Sequence, residues 1–383
     1  MGAVPSKGIF VGRVWQRGTG PVLVAVRDGR CIDITNRDTP TMRDLLEADD
    51  PVAIANCDGP DLGAVEDWDA ASRTAAAQGG DPDADRLLAP CDLQAVKACG
   101  VTFARSMIER VIEERAAGDP ARATEVRAKV AGAIGDNLRN LVPGSEAASR
   151  AKEVLKAEGL WSQYLEVGIG PDAEVFTKCP PMAAVGTGAA IGLHPVSRWN
   201  NPEPEVVLAV DSRGRIRGAA LGNDVNLRDV EGRSALLLGK AKDNNASAAI
   251  GPFVRLLDDR FTLETIRGIT IKMTVRGLDG FTMSGTSSMS EISRDPAELV
   301  AQTIGRHHQY PDGVMLYCGT MFAPIQDRDG PGQGFTHHLG DVVSISAPEL
   351  GVLENTVRLS TEAPEWDFGS GHLMRNLAGR GLL

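Results

Sequence analysis

The stretch "NNPEPEVVLAVDSRGRIRGAALGND", residues 200–224, decides how this chain is read. Val206 to Val210 form an apolar run rich in β-branched residues, which predicts a strand. Gly214 marks a turn and residues 216–221 return as a second strand, so 203–224 reads as a β-hairpin. Strand side chains two apart share a face, so Glu203 and Glu205 project together. A two-residue loop at Arg213-Gly214, or a four-residue loop from Ser212 to Arg215, sets Asp224 opposite Glu203. A three-residue loop does so only with a compensating bulge. Opposed residues have Cβ atoms about 4.5–5.5 Å apart, so three carboxylates converge at one end of the hairpin. The glutamate pair alone also fits a solvated acidic strand end. Three carboxylates together repel unless a proton or a cation intervenes.

An all-oxygen ligand set suits Mg²⁺, with Mn²⁺ or Ca²⁺ as substitutes, better than zinc. Mg²⁺ keeps several positions for water or substrate, and a 2-oxo acid chelates such an ion through its carboxylate and ketone. The ion then stabilises the enolate beside that ketone. Lys242 follows Asp224 by 18 residues, where an ammonium can orient an anion or shuttle a proton.

Composition bounds the rest. At 383 residues, 42% hydrophobic and 24% charged, the chain predicts a packed globule of one large and one small domain. A net charge of −11 argues against a nucleic-acid surface. No apolar run is long enough for a membrane span, and the start lacks a signal-peptide pattern. The six cysteines have no CxxC spacing and suit free thiols, so a cytoplasmic protein is expected. The pairs His307-His308 and His337-His338 read as surface or loop histidines.

Along the chain, residues 1–92 read as a small N-terminal domain and connector, and 93–383 as the catalytic domain. Within the first, "TPTMRDLLEADD" predicts a short helix capped at Thr39 or Thr41, and 57–85 reads as a linker. After a strand at 93–104, helices dominate to about 165, and short β-type runs follow. Helices gathered early and strands late predict an α+β, mostly β architecture. A turn is expected at Gly251-Pro252. The tail, with Trp366 and Phe368, is expected to dock on a neighbour or partner subunit.

The ordered set "EPE", "ND", "LRD" and "K…IGP" resembles the fumarylacetoacetate hydrolase superfamily, as do "FTKCP" (176–180), "GTSSM" (285–289), "YCGT" (317–320), "LGDVV" (339–343) and "ELGVLENTV" (349–357). The resemblance covers roughly residues 95–358. It implies a mixed β-roll catalytic domain with a smaller N-terminal domain, a homodimer or homotetramer, and Mg²⁺ on Glu203, Glu205 and Asp224. It carries the active-site lysine to Lys242, and the substrate-carboxylate site to Gly319, Thr320 and Lys178. Arg228 also matches, with a structural role.

Hydrolytic members of that superfamily have N-Y-x-x-H-x-x-E, in which His and Glu activate water. Here Phe103, Ser106 and Glu109 stand at the Tyr, His and Glu positions, and Ser106 cannot act unaided as a base at neutral pH. This stretch most resembles the branch that dehydrates 2-keto-3-deoxy sugar acids. The implied reaction is Mg²⁺-dependent dehydration of a 2-keto-3-deoxy-pentonate (D-arabinonate or D-xylonate) to 2,5-dioxopentanoate. Lys242 and Glu109 are then the proton-transfer candidates, and Ser106 or Arg105 would contact sugar hydroxyls. Two other readings stand beside it. One is hydrolysis of C–C bonds in 2,4-dioxo acids, with His337 or His338 replacing the missing histidine. The other is a non-catalytic sugar-acid or metal-binding protein.

Overall fold

The computed structural model describes residues 4–77, 81–117, 119, 122–123, 141–157, 159, 161–322 and 324–383; the side chains at 105, 106, 108 and 113 also lie outside that description. Much of the helical stretch expected after Gly118 therefore lies outside the described residues.

Two mixed sheets dominate. The larger has eleven described strands. Its middle is the expected hairpin, β9 (Pro204–Val210) and β10 (Ile216–Asp224). The other strands are β1 (Phe10–Gln16), β2 (Gly20–Arg27), β3 (Arg30–Asp33), β4 (Asp61–Ala64), β5 (Arg86–Leu88), β6 (Ala95–Gly100), β7 (Glu174–Cys179), β11 (Ala248–Leu256) and β14 (Val314–Tyr317). They run in the order β4-β3-β2-β1-β11-β10-β9-β14-β6-β7, with β5 on β1. The smaller sheet orders β13 (Thr282–Ser288), β12 (Thr270–Arg276), β15 (Val342–Ala347), β16 (Gly351–Leu359) and β8 (Ala190–Leu193). Because Phe10 pairs with Arg255 and Val11 with Val254, strands of the first 92 residues extend the sheet of the later segment.

All seven residues of β9 are buried, because both faces of the hairpin are covered. Val206, Leu208, Ala219 and Leu221 face a core shared with Ile271, Val343 and Leu353 of the smaller sheet. Val207, Ala209 and Ala220 face a second core with Leu45 and Leu46 of helix α1 (Met42–Glu47), which Thr41 caps. Burial on both faces explains an unbroken apolar run where a half-exposed strand would alternate.

The hairpin register shows how the turn and the triad are reconciled. Asp211 N–H donates to Arg215 O at 3.0 Å, closing a three-residue loop in which Gly214 takes φ +77°. Ile216 then pairs with Val210, but Gly218 pairs with Ala209, so a bulge at Arg217 shifts the register by one. From there the pairing places Asn223 opposite Pro204, and Asp224 N–H donates to Glu203 O at 3.0 Å. The bulge restores the alignment that the loop alone would have broken.

Two elements differ from expectation. Within 57–85, Val65–Ala77 is a 13-residue helix, α3, that buries Val65, Trp68 and Ser72. Residues 248–256 form β11 rather than a turn, with the β10 pairing shifting between Ala219 and Leu221 beside Gly251-Pro252. Proline has no N–H for the ladder, and a bulge is where a strand accommodates it. The tail docks on its own chain, with Phe368 edge-on to Trp15 at 4.9 Å and Asn376 donating to Thr19 O at 2.8 Å.

Gly222 is opposite Glu205, and a Cβ there would lie 2.4 Å from Tyr317 Cε1 and 2.5 Å from Val207 Cγ2. Gly222→Ala is therefore expected to destabilise the protein by about 1–3 kcal/mol, read by chemical denaturation. A variant as stable as the wild type would contradict this packing.

Candidate active site

The hairpin end delivers its three carboxylates as counted. Glu203, Glu205 and Asp224 are each at most 4% exposed, and one oxygen from each lies within 4.8 Å of the others. The solvated strand end is thereby excluded. They stand at the foot of a recess of about 540 Å³, its open mouth included. Among the described residues, six carboxyls (Glu109, Glu174, Glu203, Glu205, Asp224 and Glu231) and three cations (Arg110, Arg228 and Lys242) line it. An excess of buried carboxylates over cations, with oxygen ligands alone, fits a divalent hard cation.

The three ligands have different surroundings. Asp224 takes Lys242 Nζ on Oδ2 at 3.1 Å and Lys178 Nζ on Oδ1 at 2.8 Å. Burial pushes its carboxyl up, but the two ammoniums outweigh this and leave it below the usual range. Glu203 is shared between Lys242 on Oε2 and Arg110 on Oε1, and Arg110 also reaches Glu231 at 2.8 Å. Glu205 accepts Gly319 N–H at 2.6 Å. Burial, then Asp224 and Glu203, push its carboxyl well above the usual range. Lys242 is opposed by burial, yet Asp224 and Glu203 hold it above its usual value, so it is a cation at neutral pH.

The expected substrate-binding residues separate. Gly319 and Thr320 line the recess. Thr320 Oγ1 accepts Phe322 N–H at 3.1 Å, which leaves its own proton to donate. Lys178 stands elsewhere: it is fully buried behind Asp224 and does not line the recess. Its ammonium also donates to Val225 O at 3.1 Å and to Lys242 O. That geometry makes it a holder of a ligand rather than of a substrate carboxylate. Glu109 lines the recess, with Arg228 Nη2 at 3.9 Å, and Arg228 stacks on Trp199 at 4.3 Å. The side chains of Ser106 and Arg105 lie outside the described residues.

Sequence reasoning missed three lining residues. Arg110 follows Glu109 on helix α4 (Ala104–Ala116), and Glu231 follows Arg228 on the one-turn helix Arg228–Glu231. The third is Glu174, which burial pushes up to about 7. It pairs with Gly100 across β6 and β7, and a Cβ on Gly100 would lie 1.9 Å from Glu174 Oε2. Glycine here provides space for the carboxyl to cross the strand. Strand alternation was the available signal, since Glu174, Phe176 and Lys178 share parity.

His337 and His338 lie in a loop, as expected, although His337 is not at the surface. His337 is buried, with Nδ1 3.1 Å from Asp341 and its ring edge-on to Phe335, rather than at the surface. His338 reaches Asp329 at 2.9 Å. Neither lines the recess.

Residues 170–358 match the fumarylacetoacetate (FAA) hydrolase C-terminal family. This segment resembles an FAA hydrolase C-terminal domain. Two curated relatives are similar over part of their length. A probable 2-keto-3-deoxyxylonate dehydratase of Haloferax volcanii is 32% identical over 51% of this chain and 63% of its own. A 2-dehydro-3-deoxy-D-arabinonate dehydratase of Saccharolobus solfataricus is 30% identical over 48% and 58%. Among solved structures, a 2-keto-3-deoxy-D-arabinonate dehydratase in its apo form superposes with TM-score 0.63 at 21% identity, covering 91% of this chain and 99% of that one. The FAA hydrolase of the psychrophilic Exiguobacterium antarcticum gives 0.55 at 16%, covering 92% and 99%. These likenesses establish the fold: mostly β, with mixed sheets, extending beyond the FAA hydrolase C-terminal domain into the N-terminal strands. No helix of the described residues is long and apolar enough to cross a membrane.

Glu205→Gln keeps the shape of the side chain and removes one carboxyl from the triad. It is expected to abolish Mg²⁺ binding by isothermal titration while leaving the circular dichroism spectrum unchanged. Wild-type affinity in this variant would remove Glu205 from the ligand set.

Proposed function

We propose that the chain is a hydro-lyase that removes water from a 2-keto-3-deoxy-pentonate to give 2,5-dioxopentanoate, with Mg²⁺ on Glu203, Glu205 and Asp224. The observation that carries this reading is the buried carboxylate triad, in a recess that also holds a cationic Lys242 and a Glu174 poised near neutrality. The names of the two curated relatives support the substrate class, and a solved 2-keto-3-deoxy-D-arabinonate dehydratase similar in fold holds magnesium and 2,5-dioxopentanoate. A bound Mg²⁺ supplies Lewis-acid polarisation of a 2-oxo acid, which acidifies its C3–H bonds.

The remaining work falls to the chain's own side chains. Thr320 donates its hydroxyl proton to the substrate carboxylate, beside Gly319. Lys242 supplies fixed positive charge next to the 2-oxo group, and Lys178 positions Asp224. One carboxylate removes a C3 proton, and a protonated carboxyl gives a proton to the departing C4 hydroxyl, which leaves as water. Tautomerisation then leaves an aldehyde at C5. Glu174 suits the acid, because a group that titrates near the working pH is the most effective proton donor there. Glu109 lies in the same recess and is assigned as the base. Ser106 and Arg105 keep their assignment to the sugar hydroxyls. Mn²⁺ and Ca²⁺ are carried as substitute ions, and a homodimer or homotetramer in the cytoplasm is the assembly and place proposed.

Hydrolysis of a C–C bond is the competing reading. It requires a water-activating base at the position of Ser106, and no histidine is among the described residues that line the recess.

The deciding experiment is a proton NMR time course with 2-keto-3-deoxy-D-xylonate and its D-arabinonate counterpart, with Mg²⁺ or with EDTA. A metal-dependent aldehyde signal without pyruvate is expected, and Glu203→Ala should be inactive though folded. Pyruvate among the products would establish C–C cleavage instead. Glu174 makes a separate demand on the pH profile. Its acid form predominates below about 7, so kcat is expected to fall as pH rises past that region. Glu174→Gln should lower kcat by roughly 10²–10⁴-fold and abolish the alkaline limb. A variant with an unchanged profile would clear Glu174 of the role.

A further inference from the structure

The register of the central hairpin does not end at its carboxylates. Beyond Glu203 and Asp224 the two backbones meet once more. Asn201 N–H donates to Asn226 O at 3.0 Å, and Asn226 N–H donates to Asn201 O at 3.1 Å. On paired strands, side chains opposite each other or two residues apart share a face. Asn201 and Asn226 therefore extend by one step the face that carries Glu205, Glu203 and Asp224. The two amides meet on that face, with Asn226 Nδ2 at 3.5 Å from Asn201 Oδ1. Gly319 N–H reaches Glu205 at 2.6 Å, so Gly319 and Thr320 stand at one end of this ladder and Asn201 at the other.

Asn201 lines the same recess as the triad and is 3% exposed, whereas Asn226 is fully buried and does not line it. The segment is fixed from behind, since Asn200 Oδ1 accepts His337 N–H at 3.2 Å. A primary amide offers two N–H donors and two oxygen lone pairs. In Asn201 one N–H goes to Pro202 O at 3.0 Å, and one lone pair faces Asn226. Among the described residues nothing takes the other N–H or the other lone pair. A buried donor left without a partner is unfavourable, so the amide suits a ligand. One donor beside one acceptor complements a hydroxyl, which is itself both. A carboxylate would use the N–H alone. It would also add negative charge to a recess whose described carboxyls outnumber its cations six to three.

We propose that Asn201 is a specificity-determining residue whose amide binds the terminal hydroxyl of a 2-oxo acid. It selects hydroxylated substrates over counterparts that end in a methyl group. The ligand's carboxylate lies at the Gly319 and Thr320 end, and its hydroxylated end reaches Asn201. Asn226 is a positioning residue that holds the Asn201 amide toward the recess. The inference rests on reading the recess as a 2-oxo-acid site, and the test below separates the two.

The test uses the full chain with Mg²⁺ and two oxamates, read by isothermal titration. An oxamate has the carboxylate and adjacent carbonyl of a 2-oxo acid and has no hydroxyl that elimination could remove. N-(2-hydroxyethyl)oxamate carries a terminal hydroxyl, and N-ethyloxamate is the same chain without it. The wild type is expected to bind the first roughly tenfold more tightly, the gain of one hydrogen bond. Asn201→Leu keeps a similar volume without the amide. It should bind the two alike, with the affinity the wild type has for N-ethyloxamate. A side chain that served only to hold the backbone would weaken both ligands equally and leave their ratio at tenfold. Asn201→Ala takes its place if that variant does not fold. Equal affinities in the wild type, or a ratio retained in a folded variant, would overturn the proposal. Failure of both oxamates to bind the wild type would remove the 2-oxo-acid reading itself, and the role of Asn201 with it.

Discussion

The carboxylates at the end of the central hairpin are the constraint around which the surrounding structure is arranged. Three anions buried this close are tolerated only if cations and hydrogen bonds are fixed around them, because a buried charge left unpaired costs about 3–5 kcal/mol. Lys178 and Lys242 are therefore fixed in turn. Lys178 reaches Val225 O and Lys242 O, and Ser247 Oγ donates to Lys242 O at 2.7 Å. The carbonyl that holds one lysine thus belongs to the other. Such a closed set requires a rigid base, and β9 provides it by being buried along its whole length between two cores.

The surroundings of the three carboxylates are unequal. Asp224 is held ionised by two ammoniums, whereas Glu205 has one backbone N–H and two anionic neighbours. Glu203 lies between, shared by Lys242 and Arg110. Arg110 sits on α4 beside Glu109 and bridges Glu203 to Glu231. The helix that presents Glu109 to the recess is thereby tied to the carboxylate triad by a guanidinium that bridges two carboxylates, a fixed geometry that lysine would not supply. The carboxylate triad and the other carboxyls of the recess are thus joined by one set of ion pairs.

The hairpin, its face and its triad were legible because strand alternation and turn chemistry act over short range. The bulge at Arg217 was legible only as a condition, since its placement depends on both neighbouring strands. Glu174 was not legible as a site residue, because its environment comes from Gly100 and from the charges of Glu231, Arg110, Lys242 and Glu203, all distant in sequence. The misreading of 57–85 had a local cause. Acidic residues and glycines outweighed "AASRTAAA", a strong helix-forming run whose apolar side is carried by Val65 and Trp68. Pro252 was read by its usual role in turns, and only the pairing of β10 with β11 reveals a bulged strand.

The recess also bears on which chemistry this fold performs. A hydrolase must create a nucleophile from water, which takes a base strong enough near neutrality. An elimination needs no nucleophile: a base takes one proton off C3 and an acid gives one to a departing hydroxyl. A base and a carboxyl that keeps its proton near the working pH are sufficient for that, provided the acid is not lost to an ion pair. Glu174 meets this condition, since no hydrogen bond or ion pair reaches its carboxyl among the described residues, and burial keeps its proton on to about 7. Glu109 stands on the same recess, with Arg228 Nη2 at 3.9 Å. The two carboxyls thus meet the recess in different surroundings, Glu174 buried without an ion pair and Glu109 beside a guanidinium.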